Sequence, residues 1–184
     1  EFDAASIRQY AAMVLPGLFQ TREYASKVLR SIRPDAGADE IDQRLELRMH
    51  RQELLTQQGG PELWIVLDEA TLHRPVVGPA VMREQLQRLI DVSASPKITL
   101  QVLPFSAGPH AGLDGDFTMF SFSDPADPDL VFIENSGGDL YLEDTDRTQR
   151  YRLIFSHLQA AALPVESVRT LTNVQRNLPE PERG

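Results

Sequence analysis

The chain contains no cysteine. That excludes disulfides, thiolate catalysis and thiol redox switching, removes the usual sulfur ligands of structural zinc, and fits a reducing cytoplasm. Lysine is almost missing as well. Lys27 and Lys97 are the only two, every other basic side chain being arginine, a bias that with the many alanines points to a GC-rich genome. Long apolar runs are also lacking: stretches such as Leu63 to Leu67 fall far short of the roughly 20 residues needed to cross a bilayer. The start, Glu1-Phe2-Asp3-Ala4, has no basic segment followed by an apolar one, so it does not read as a secretion signal. Without an initiator methionine, it reads as a segment of something longer. Positive charge is in deficit too. Eighteen Lys and Arg face 27 Asp and Glu, for a net charge of −9, and a phosphate backbone would be repelled rather than bound.

What is present is enough apolar material, 41% of 184 residues, for one sizeable core. Ile7, Tyr10, Ala11 and Val14 fall at helical spacing and predict a first helix, stopped by Pro16-Gly17. Thr21 can cap a second helix with Glu23 in its first turn and Tyr24, Val28, Leu29 and Ile32 inward. Asp39 is expected to cap a third, with Ile41, Leu45 and Met49 one turn apart, ended by Gly59-Gly60-Pro61. Its Arg44, Arg48 and Arg51 interleave with Asp42, Glu46 and Glu53, which favours a solvated, salt-bridged face over a nucleic-acid surface.

Leu63 to Leu67 predicts a central strand buried on both sides. Gly78-Pro79 opens a helix with Met82, Leu86, Leu89 and Ile90 inward, and Ile98 to Phe105 returns as a strand. Strand, helix, strand in that space implies a right-handed parallel crossover. Phe117 to Phe122, Leu130 to Glu134 and Leu140 to Leu142, joined by Gly-, Asp- and Asn-rich turns, predict an antiparallel meander. Asp146 is expected to cap a long helix carrying Tyr151, Ile154, Phe155 and Leu158, and Pro164 to start a last one. The expected class is therefore α+β: N-terminal helices, a mixed sheet of about five strands with one β-α-β crossover and a meander, and two C-terminal helices. The division expected is an N-terminal helical segment 1–58, a core 59–178 and a disordered tail 179–184.

Reactive chemistry is hard to find. His50, His73, His110 and His157 sit on four separate predicted elements without metal-ligand spacing, and no nucleophile elbow, phosphate loop or dinucleotide fingerprint occurs. No catalytic, metal or cofactor residues are assigned. Asp68-Glu69 follows a strand where α/β sheets place ligands, although capping of the next turn is the favoured reading. Arg74 is a rigid fork for a carboxylate, from the protein or from a ligand. With Trp64, Phe105, His110 and Tyr141 it forms a candidate ligand pocket. The loop Gly108 to Asp116 is longer than a hairpin needs. From Asp114 to Asp146 there is no Lys, Arg or His. Asp124, Asp127 and Asp129 thus mark a candidate acidic partner surface, with Gln20, Thr21 and Tyr24 as a second.

Several of these segments together resemble a known family. They are Pro16-Gly17-Leu18-Phe19-Gln20-Thr21-Arg22-Glu23-Tyr24-Ala25, Leu67-Asp68-Glu69-Ala70 through Leu72-His73-Arg74-Pro75-Val76-Val77-Gly78, Leu100 to Phe105 with Gly108 and His110, Gly115-Asp116-Phe117, Phe132-Ile133-Glu134 and Leu140-Tyr141-Leu142. In this order they are similar to the C-terminal domain, formerly of unknown function, of actinobacterial XRE-type helix-turn-helix regulators, often described as antitoxin-like. Phe19, where leucine is usual, and His73, where a small or basic residue is commoner, are minor departures. The resemblance implies a cytoplasmic, non-enzymatic regulatory domain in transcription regulation. DNA would be bound only through a helix-turn-helix domain outside this segment. A small companion protein or a second copy is the implied partner, and the resemblance supplies no catalytic or ligand set. The resulting expectation is a protein-protein interaction or dimerisation domain, with small-molecule effector sensing as the alternative and an unrecognised enzyme as a remote one.

Overall fold

A computed structural model describes residues 3–55, 59–124, 126–135, 137–164 and 168–179. The strands are β1 (Ala4–Ala11), β2 (Glu62–Asp68), β3 (Ile98–Leu103), β4 (Phe117–Phe122), β5 (Leu130–Ile133) and β6 (Leu140–Leu142). The helices are α1 (Arg22–Ile32), α2 (Ala38–Arg51), α3 (Ala70–His73), α4 (Pro79–Ser93), α5 (Thr145–Ala161) and α6 (Val168–Asn177). They build an α+β fold around one mixed sheet of order β3-β2-β1-β4-β5-β6. β1, β2 and β3 run parallel, β4 is antiparallel to β1, and β4, β5 and β6 form the meander.

The first predicted element is corrected: residues 4–11 are a strand in the middle of the sheet, not a helix. The spacing misled because β1 is buried on both faces. Ile7 and Ala11 sit in one core and Tyr10 in the other, all at 1% exposure or less. Double burial erases the alternation that identifies a strand, and Val14 lies beyond the strand end. This strand raises the expected five to six, and β2 becomes the second strand from one edge.

Capping residues explain the helix limits. Thr21 Oγ accepts the Tyr24 N–H at 3.3 Å at the start of α1, and Pro79 occupies the first turn of α4 after Gly78. Two expected caps shift. The α2 N-cap is Gly37, with Asp39 inside the first turn. Asp144 caps α5 by accepting the Arg147 N–H at 3.1 Å, leaving Asp146 to complement the helix dipole. The last helix, expected to start at Pro164, spans Val168–Asn177; residues 165–167, and all of the expected tail 179–184 except Pro179, lie outside the described residues.

One sheet face, with Ile7, Leu63, Ile65, Leu67, Leu100 and Val102, packs against α1, α4 and α6 through Val28, Leu86, Leu89 and Leu171. The other, with Tyr10, Val66, Leu103, Phe117 and Met119, is covered by Phe155 and Leu158 of α5. Full burial of each such side chain is worth about 1.5–3 kcal/mol. A third cluster, Ala25, Leu29, Ile41 and Leu45, joins α1 to α2. The two sheet edges differ. At β3 the chain leaving α5 closes the edge, Leu163 N–H donating to Val102 O at 2.8 Å, whereas among the described residues no strand pairs beyond β6. Among the described residues no helix is long and apolar enough to cross a membrane.

On α2 the salt-bridged reading holds in part. Arg44 pairs with Glu40 at 2.9 Å and Glu46 with Arg22 of α1 at 2.6 Å. Arg48 instead turns inward to Gln20 Oε1 at 2.7 Å, and its burial lowers the guanidinium pKa below the usual value.

Candidate functional site

The three parallel strands end together. Ala11, Leu67 and Val102 are in register, with Asp68 beside Leu103, so the loops after β1, β2 and β3 leave from one end. The segment 104–116 starts at edge strand β3 and rejoins the sheet as β4, on the far side of β1. It therefore has to cross the ends of β2 and β1, which accounts for a length no hairpin requires.

That crossing places His110 over two strand ends. Its Nε2 lies 3.6 Å from Asp68 Oδ2, and Tyr10 OH donates to the same oxygen at 3.1 Å. Asp68 Oδ1 accepts the Ala70 N–H at 2.9 Å, so this carboxylate also caps the following turn, as expected. The Gly112 N–H donates to His110 Nδ1 at 3.2 Å, which leaves the neutral ring's proton on Nε2, facing Asp68. Burial, followed by the nearby Asp68 charge, raises the Tyr10 phenol well above its ordinary pKa and keeps it a donor.

Two further carboxylates pin the same loops. Asp116 Oδ1 accepts the Ala12 N–H at 2.9 Å, with the Met13 amide also bonded, while burial pushes its pKa up. Glu69 Oε2 accepts the Phe105 N–H at 2.7 Å, and its Oε1 is 3.5 Å from His73 Nε2. Chemically this is a rigid platform. The Gly112 N–H occupies His110 Nδ1, and Nε2 faces Asp68. Among the described residues no three His, Asp or Glu converge on a metal position.

Beside the platform, between the connection from α3 to α4 and helix α6, lies a cavity of about 490 Å³. Leu72, Val77, Met82, Val174 and Leu178 give apolar walls, and Arg74, Asn173 and Asn177 supply polar groups.

The five residues expected to line one ligand pocket divide. Arg74, Phe105 and His110 do share this end of the sheet, but Trp64 and Tyr141 do not. Trp64 lies four residues upstream on β2, its Nε1 donating to Gln101 Oε1 at 2.8 Å. Tyr141 is on β6, three strands beyond β1, packed against Phe132 with ring centroids 5.0 Å apart.

The partner surface expected at Gln20, Thr21 and Tyr24 is also corrected, because Gln20 and Tyr24 are 1% and 0% exposed. The backbone around them carries unpaired polar groups that side chains satisfy: Gln20 Nε2 donates to Leu15 O at 2.7 Å, and Gln85 grips Thr21 N–H and Phe19 O at 2.7 and 2.8 Å. On the acidic surface Asp124 and Asp127 are exposed, whereas Asp129 is paired with Arg152 of α5. A stretch with no basic residue in sequence acquires one in space.

Sequence reasoning missed Tyr10, Gly112 and Asp116 as parts of the platform. Gly115-Asp116-Phe117 was visible as a segment, but only the strand order puts it beside Ala12.

The sheet, with helices on both faces and a hydrogen-bonded platform at one end, defines an α+β domain built to hold loops in fixed positions. The chain belongs to the family described as Domain of unknown function (DUF5753), whose model matches residues 1–173. It matches no curated protein and no solved structure.

Proposed function

We propose that this chain is the partner-binding regulatory domain of an XRE-type, antitoxin-like helix-turn-helix transcription regulator acting in the actinobacterial cytoplasm. DNA would be bound by a separate domain of the same protein. The observation that carries partner binding is the β6 edge. Leu140 and Tyr141 are 45% and 59% exposed there, and the flanking Asp139, Glu143 and Asp144 are exposed carboxylates. A free strand edge offers backbone hydrogen bonds to an added strand, apolar side chains supply affinity, and the acidic flanks select a basic segment. That charge argues against a second copy at this edge, since two copies would bring like carboxylates together. The net charge of −9 supports the same division of labour, with DNA contact left to another domain.

The test is titration with a small companion protein of the kind the family resemblance implies. Tyr141→Ala and Glu143→Lys are expected to weaken binding about tenfold or more, equivalent to about 1.4 kcal/mol. Binding unchanged in both variants would overturn the edge as the docking site. A second reading, effector sensing, is supported by the cavity at Arg74, whose volume of about 490 Å³ falls in the range of small-molecule sites.

A further inference from the structure

The cavity beside α3 combines three features. Its walls are mainly aliphatic, from Leu72, Val77, Met82 and Val174. Arg74 stands at its rim, exposed, and among the described residues its guanidinium meets no carboxylate within ion-pair distance. The acidic group of the cavity lining, Glu69, is already committed to Phe105 N–H and His73. The other arginine beside the cavity, Arg83, is used up by the backbone carbonyl of Leu178 at 2.9 Å and by that of Pro179, fixing the chain that follows α6 as a wall. Arg74 is thus left without a carboxylate partner beside an apolar chamber, its charge reaching the buried Tyr24 hydroxyl, with the Asn173 and Asn177 amides on the facing helix.

We infer that this cavity is a binding site for a small molecule with an apolar body and a single anionic head, a carboxylate or its equivalent, held by Arg74. An isolated guanidinium is a planar fork matched to a carboxylate, and such charge-assisted pairs are stronger than neutral hydrogen bonds. The apolar walls bury the body of the ligand, while Glu69 and His73, the other titratable groups of the lining, are directed to each other. The inference rests on the effector-sensing reading and is independent of partner docking at β6. Arg74 and its cavity belong to the connection from α3 to α4 and to α6, and β6 lies at the far end of the sheet.

The test uses 8-anilinonaphthalene-1-sulfonate, an apolar fluorophore with one anionic group, on chain shown to be folded by circular dichroism, with decanoate and decanol as competitors. The expected result is saturable binding at one site, with decanoate displacing the probe at least about tenfold better than decanol. Arg74→Ala is expected to remove that preference. Asn173→Trp, which fills the chamber from an exposed position on α6, should abolish binding, while Arg147→Ala at a distant site leaves it unchanged. Equal displacement by decanol, or a preference that survives Arg74→Ala, would overturn the anionic head while leaving a cavity that senses neutral molecules. Probe binding insensitive to Asn173→Trp, or no saturable binding at all, would remove the cavity as a site and with it the effector-sensing reading.

Discussion

Gly112 lies directly against the ring of Tyr10: a Cβ at position 112 would stand 2.5 Å from Tyr10 Cε1 and 2.8 Å from Cζ. Tyr10 is wholly buried in the central strand and bonded to Asp68, so the ring has no room to withdraw. Gly112→Ala is therefore expected to destabilise the fold by about 1–3 kcal/mol, the usual range for overpacking, measured by urea unfolding. Tyr10→Phe in the same background should not relieve the clash, because the ring edge remains, whereas Tyr10→Leu should recover part of it. A Gly112→Ala variant as stable as the parent would show that the loop is not seated on Tyr10.

The Tyr10 hydroxyl itself is testable apart from the ring. Tyr10→Phe removes the 3.1 Å donation to Asp68 and nothing else, and loss of a hydrogen bond to a charged group costs about 1.5–3 kcal/mol. Equilibrium unfolding gives the magnitude. Hydrogen exchange is expected to show faster opening of the 104–116 loop, since Asp68 also faces His110 in that loop.

Gln85 reaches from α4 to the backbone on either side of Gln20, accepting from Thr21 N–H and donating to Phe19 O. Gln85→Ala leaves both groups without their partner in a buried place. The expected loss is at least about 2 kcal/mol by chemical denaturation, from roughly 1–3 kcal/mol for each unsatisfied group. A loss below half that value would mean that water reaches the 19–21 segment and replaces the amide.

Asp116 carries a pH dependence whose sign follows from its raised pKa. Burial is the main cause, with the Asp68 and Glu134 charges adding to it. Between the unfolded value of about 3.9 and the higher folded value, the native state holds more protons than the unfolded one. The contribution of Asp116 to stability is thus lost as pH rises through that window and is constant above it. Asp116→Asn has no such term. The stability of Asp116→Asn relative to the parent should increase between pH 4 and pH 7, as measured by urea midpoints across that range. A flat or falling difference would show that the carboxylate is not held above its ordinary value.

These sites also show how far the sequence alone could lead. The crossover from Leu63 to Leu103 and the meander after Phe117 were legible because each strand is short and bounded by Gly, Pro or Asp, and because helix α4 supplies its own periodicity. β1 was not legible, since a strand with apolar side chains on both faces satisfies a helical template as well. That single misreading hid the platform. With Tyr10 on a helix, nothing connects it to Asp68, 58 residues away, or Ala12 to Asp116, 104 residues away. Arg74 and the length of the 108–116 loop did stand out, because an arginine between a strand and a helix and an overlong glycine-rich loop are local features, whereas the lack of a carboxylate partner for Arg74 is not. Gln20 was misplaced on the surface for the opposite reason, its side chain being held by Arg48 on another helix, and Tyr24 follows the inward reading of its helix into the core rather than the partner-surface one.

Hydrogen exchange of the β6 amides, with and without the small companion protein, tests partner docking most directly. The account predicts that residues 139–143 exchange quickly in the free chain and become protected in the complex, and that Tyr141→Ala loses both the binding and the protection. Tight binding with protection confined to other parts of the chain, and β6 exchanging as fast as in the free protein, would contradict it.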